Sequence, residues 1–166
     1  PSIPVPIEVL SRKELEALGH QFRTHSDSEV ILEAYRAWGP KCVERLHGMF
    51  VFALYDQANR QLLLARDRLG VKPLYHARLA DGSIIFGSEL KALLEHPALR
   101  REPDLAMVDD FLAFGYVPDH GCIVAGVQKL AAGHYWLLTQ GKAEPAPTQY
   151  WDLDFSFCLS DSEAEL

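Results

Sequence analysis

Hydrophobic residues along the chain are arranged in two textures. Up to Trp38 apolar residues recur at helical spacing, and from Met49 onward they gather into short runs. Ser11-Arg-Lys-Glu14 has the spacing in which each side chain can satisfy the other residue's free backbone N–H, and Gly19 offers a left-handed stop. A short helix over 11–18 is predicted. Ser26-Asp-Ser-Glu29 repeats the signature before Val30, Ile31, Ala34 and Tyr35, and Gly39-Pro40 closes the stripe, which predicts a helix over 27–38.

Beyond it, Met49–Tyr55, Leu62–Ala65, Leu74–Ala77 and Ile84–Phe86 are apolar runs parted by turn-forming segments, and they predict four strands of an antiparallel meander. Phe50, Phe52 and Leu54 alternate with Met49, Val51 and Ala53, so both faces of the first strand are expected to be buried. A sheet covered by helices on one side and by a second sheet on the other satisfies that pattern. Helices over 89–95 and 105–114 follow, the second with Leu105, Val108, Leu112 and Ala113 spaced for burial. Val127–Leu130 and His134–Thr139 predict strands, and Ala143–Pro147 an extended connector. Ser160-Asp-Ser-Glu163 is a third helix start, which suggests the threshold of another domain or a frayed acidic tail.

A length of 166 residues with 48% apolar content is enough for one domain with a sizeable core. The net charge of −7 and the lack of a Lys/Arg stripe argue against nucleic acid as a partner. No apolar run is long enough to span a bilayer, and the Pro-rich start lacks the regions of a secretory signal, so no membrane partner and a cytoplasmic location are expected. Cys42, Cys122 and Cys158 are odd in number and far apart, and the seven histidines are scattered. Neither a disulfide framework nor a metal site is expected.

Four residues carry candidate chemistry. Asp27 would sit in the first turn of its helix, where the dipole favours a carboxylate that could receive an ammonium group or merely complement the helix end. Asp67 in Arg66-Asp-Arg-Leu-Gly70 can accept backbone N–H bonds across a turn in which Gly70 supplies an unusual backbone angle. Lys72 could reach an anion or be simply solvated. Cys122 has His120 and His134 as nearest candidate bases, but its apolar setting favours a structural thiol.

Taken together, Leu15–Trp38, Met49–Phe52, Ala65-Arg-Asp-Arg-Leu-Gly-Val-Lys-Pro-Leu-Tyr75, Phe86–Leu94, Phe114–Pro118, Val127–His134 and Tyr150-Trp-Asp152 resemble the glutaminase domain of asparagine-synthetase-type class II glutamine amidotransferases. The likeness runs from about residue 10 to about residue 155. Tyr116–Ile123 and Lys129–His134 are similar to the bacterial branch associated with exosortase and exopolysaccharide gene clusters. The resemblance implies an α+β, N-terminal-nucleophile hydrolase-like four-layer αββα sandwich, incomplete at its N-terminal side. It divides the chain into a partial amidotransferase domain over 1–155 and a linker with the start of a synthetase domain over 156–166.

In the family an N-terminal cysteine attacks the carboxamide of glutamine, and an Asp at the position of Asp27 binds the substrate's α-ammonium. The ammonia released serves ATP-dependent amide formation on an acceptor carboxylate, with asparagine synthesis the best single label and a sugar acid or polymer intermediate the rival acceptor. The chain departs from the pattern. It opens Pro1-Ser2 and contains neither the Arg-Gly-Pro segment, nor the Asn-Gly-Glu oxyanion segment, nor the Ser-Gly-Gly-x-Asp-Ser pyrophosphate loop. ATP and magnesium are therefore expected in a second domain of the parent, and these residues alone are expected to be inactive. Strands deprived of their partners imply self-association into a homo-oligomer. The alternative is a non-catalytic assembly or ligand-binding module on the same scaffold.

Overall fold

The computed structural model describes residues 8–154, with side chains from residue 12 onward. Two helices lead, α1 (Glu8–Ala17) and α2 (Asp27–Trp38), and a 3-10 turn over Gly39–Arg45 follows. Seven strands then alternate with two further helices: β1 (Val51–Asp56), β2 (Gln61–Arg66), β3 (Tyr75–Arg78), β4 (Ile84–Gly87), α3 (Leu90–Leu94), α4 (Leu105–Phe114), β5 (Val127–Lys129), β6 (His134–Thr139) and β7 (Thr148–Gln149). They form a four-stranded sheet in the order β1-β2-β6-β7 and a three-stranded sheet in the order β4-β3-β5, and the paired strands are antiparallel throughout.

The period of two in each strand builds the layers, because successive side chains leave opposite faces of a pleated strand. On the first sheet, Phe50, Leu54, Leu63, Ala65, Tyr135 and Leu137 face one way and pack with Leu15, Val30 and Ala34 of α1 and α2. Their neighbours Val51, Leu62, Leu64, Trp136 and Leu138 face the other way and meet Leu74, Ile84 and Leu130 of the second sheet. Ala77, Ile85 and Val127 then turn outward from that sheet onto Leu93 of α3, Leu99 and Cys122. Helix, sheet, sheet, helix is the resulting order, and each interface removes apolar surface from water at about 25 cal/mol per Å².

The expected meander is broken after β2. Hydrogen bonding passes from β2 to β6, and β3 belongs to the other sheet. The loop over 67–73 makes the change of layer through polar bonds of its own. Asp67 Oδ1 accepts from the N–H groups of Leu69 (3.2 Å) and Val71 (3.0 Å), and Oδ2 accepts from that of Lys72 (3.0 Å). Gly70 stands at φ +64°, where a side chain is strained, and the Arg66 guanidinium lies where a Cβ would be.

Other departures are local. Helix α1 spans Glu8–Ala17, so Ser11 lies within it and not at its start. The face of β1 that carries Val51 is only partly covered, since Ala53 and Tyr55 remain exposed beyond the reach of the second sheet. Helix α4 has the expected bounds and a clean start, with Asp104 Oδ1 accepting from Ala106 and Met107 N–H, but none of its side chains is buried. It leans on the fold through half-buried Met107 and Val108, and Leu105 and Leu112 stay 73% and 75% exposed. The third helix start at Ser160–Glu163 lies outside the described residues, as does Cys158.

Candidate functional site

Asp27 opens α2, whose apolar face is sunk in the first core through Val30 and Ala34. Ser26 is the N-cap, in extended backbone, and its hydroxyl accepts from Ser28 N–H at 3.2 Å. The reciprocal half of the predicted capping box is not made. The Ser26 N–H donates instead to Thr24 Oγ1, and the Glu29 carboxylate takes the N–H of Arg23 (2.8 Å), the N–H of Thr24 (2.7 Å) and the Thr24 hydroxyl (2.6 Å). These bonds, the Thr24 hydroxyl first among them, hold the Glu29 carboxyl down at about 2.

A second clamp comes from α1, where Arg12 lies over the Phe22 ring at 4.3 Å and donates to the Thr24 carbonyl. The segment entering α2 is therefore fastened from both helices. Asp27 is half-buried in the first turn, and its carboxylate has no hydrogen-bond or ion-pair partner among the described residues. A carboxylate at a helix start, with its neighbours saturated and its own oxygens unspent, is equipped to accept charge-assisted bonds from a cationic amine.

The other candidates have structural duties. Asp67 is buried at 1% exposure under the bonds of its own turn, and Lys72 is exposed beside it. Cys122 is buried in the outer core of the second sheet, and His120 is drawn to Asp110 at 3.6 Å, so no thiol and imidazole pair assembles there. Cys42 lies in the first core, and burial pushes its thiol up to about 12, far from a reactive thiolate.

The knot around Arg66 could not be foreseen from spacing. Its guanidinium, 3% exposed, donates to the carbonyls of Lys72 (2.8 Å), Gly70 (2.7 Å) and Leu130 (2.6 Å) and to both oxygens of Asp119 (2.9 and 3.1 Å). Beside this loop, His47, Met49, Arg68, Val71 and Trp151 line a largely apolar hollow of about 360 Å³. The Tyr150 hydroxyl, raised in pKa by burial, donates to Arg66 O at 2.8 Å and ties the Tyr-Trp-Asp segment to the end of β2.

Comparison with known proteins gives this geometry its context. Residues 9–151 match the glutamine amidotransferase domain family. The chain belongs to that family. This amidotransferase domain is 39% identical over 145 residues to asparagine synthetase [glutamine-hydrolyzing] 3 of Bacillus subtilis, a stretch covering 86% of the chain and 23% of that protein. It is 35% identical over 153 residues to asparagine synthetase [glutamine-hydrolyzing] 2 of the same organism, covering 88% of the chain and 20% of the relative. The chain thus spans about a fifth of the length of these curated relatives.

Among solved structures, glutamine phosphoribosylpyrophosphate amidotransferase from B. subtilis superposes with a TM-score of 0.52 at 17% identity, over 85% of this chain and 26% of that one. A second, the allosteric regulatory enzyme of purine biosynthesis, gives 0.54 at 15% identity, over 89% and 27%. At such identities the likeness concerns the fold, which is the α+β, N-terminal-nucleophile hydrolase-like architecture expected from the sequence. No helix among the described residues is long and apolar enough to cross a membrane.

Proposed function

We propose that this domain binds glutamine for hydrolysis to glutamate and ammonia, as part of a longer, ATP-driven amide-forming enzyme of the asparagine synthetase type. The observation that carries the reading is Asp27. Among the described residues it is the carboxylate at the head of α2 left without a partner, on a segment that Glu29 and Arg12 hold in place. Its oxygens receive the α-ammonium of glutamine, and the charge on both sides makes each bond stronger than a neutral one.

The reacting groups lie elsewhere in the parent. The nucleophilic cysteine and the oxyanion donors are supplied from outside these residues, and ATP and magnesium bind in a following synthetase domain. The acceptor is a carboxylate, with aspartate the leading case. Ammonia is protonated in neutral water, so the parent requires a dry path between its sites, and the strands from Met49 onward supply apolar wall for it. The domain works in the cytoplasm of a bacterium and assembles as a homo-oligomer.

Calorimetric titration of the chain with glutamine tests the central claim. Wild type is expected to bind glutamine, and Asp27→Asn to weaken it by about tenfold or more, the loss of one charge-assisted contact. Equal affinity in the two proteins would overturn the role of Asp27. No binding in either would favour the second reading, a scaffold that no longer recognises the substrate.

A further inference from the structure

The largest of the described hollows is unrelated to Asp27. It opens between the two sheets at the β5 and β6 side and has a volume of about 860 Å³. Its floor is apolar, made by Ile84, Leu130 and Trp136, and its lid is the segment over 144–147, to which Trp136 Nε1 donates at Pro145 O (2.7 Å). His76 lies in its wall. This imidazole is more than nine-tenths buried, its ring 4.8 Å from that of Trp136. Neither ring nitrogen has a hydrogen-bond partner among the described residues, and neither is sealed from the cavity. An imidazole whose nitrogens make no bond within the fold and open onto a cavity is free to bond what enters it.

The surrounding groups share one character. Gln128 pairs with His76 across β5 and β3, which places the two side chains on the same face about 5 Å apart at Cβ. Arg78, two residues on from His76, stands on that face as well and meets Glu144 of the lid and the carbonyl of Gly82. His134 enters from the opposite sheet, its Nδ1 at 2.8 Å from Ala132 O. An imidazole N–H, a carboxamide and a guanidinium, all able to donate, converge on a space whose lining contains a single carboxylate. Lys129 contributes backbone rather than charge, since its ammonium is spent on the carbonyls of Val117 and Pro118.

We propose that this cavity between the sheets is a binding site for a small oxyanion-bearing molecule, held by Arg78, Gln128 and His76 over the Trp136 floor. On binding, Arg78 exchanges Glu144 for the ligand, and the lid over 144–147 is the element that yields. The site is independent of glutamine recognition at Asp27.

Titration of the chain with inorganic phosphate and, separately, with malonate, followed by NMR of the His76 imidazole and the Trp136 indole, tests it. Saturable movement of both signals with either probe is expected, and the responding probe tells whether the anion is a phosphate or a carboxylate. Gln128→Leu, at an exposed position, and Arg78→Gln should each weaken binding by about tenfold while the fold, read by circular dichroism, is kept. Asp27→Asn should leave the titration unchanged. Unmoved His76 signals, equal movement with sodium chloride at matched ionic strength, or wild-type affinity in both cavity variants would overturn the proposal.

Discussion

Replacing Arg66 by Met separates two explanations of why an arginine is buried at the end of β2. An ion pair with Asp119 is the obvious one, and its geometry is bidentate. Asp119, however, has a side chain 52% exposed, and a pair with one partner half in water contributes only about 0–1 kcal/mol. The carbonyls of Gly70, Lys72 and Leu130 are the heavier load. Each loses a charge-assisted bond worth about 1.5–3 kcal/mol net, and the three are coupled through one guanidinium, so their sum is not additive. Removing a buried charged partner typically costs about 3–5 kcal/mol, and that is the expected loss for Arg66→Met. Asp119→Ala is expected to cost about 1 kcal/mol or less. Urea unfolding followed by tryptophan fluorescence, with far-ultraviolet circular dichroism as the second probe, measures both. Should Asp119→Ala prove as damaging as Arg66→Met, the loop would be held by the ion pair and the reasoning from the carbonyls would be wrong.

Two further outcomes follow from burial. The His76 imidazole is kept neutral by burial, its folded pKa lowered from 6.5, so the unfolded chain takes up a proton first as pH falls through 6.5 and stability is lost below that value. His76→Gln should therefore flatten the acid limb of a melting-temperature profile relative to wild type, and parallel limbs would refute the assignment. Leu63→Ala, in the core between the first sheet and the leading helices, should cost about 2–5 kcal/mol, whereas Leu112→Ala on exposed α4 should stay within about 0.5 kcal/mol in chemical denaturation.

The layered fold was legible because it rests on short-range periodicity. Leu62 to Ala65 is an unbroken apolar run, and only a strand covered on both faces has use for one: Leu63 and Ala65 go to the helices, Leu62 and Leu64 to the second sheet. The sheet order was not legible. Whether β3 pairs with β2 depends on what happens between them, and there Asp67, Gly70 and Arg66 satisfy the backbone locally and release the chain into the other layer. The partner that completes this turn, Asp119, is remote in sequence, so no local pattern announces it. Helix α4 misled for the opposite reason. Its apolar spacing is real, but spacing reports which residues share a face and not whether any surface meets that face.

The site shows the same division at the scale of four residues. Ser26-Asp-Ser-Glu29 reads as a capping box, in which the Glu bonds the N-cap N–H. Here Glu29 reaches past Ser26 to Arg23 and Thr24, and Thr24 Oγ1 takes over the Ser26 N–H. The substitution of partners moves the work of fixing the helix entry onto Glu29 and Thr24 and relieves Asp27 of any part in it. A carboxylate that merely complemented the helix end would serve equally well at Glu29, which already lies in that first turn and is fully engaged. Asp27 is thus surplus to the needs of the fold among the described residues, which leaves its half-buried carboxylate open to the cationic partner proposed above.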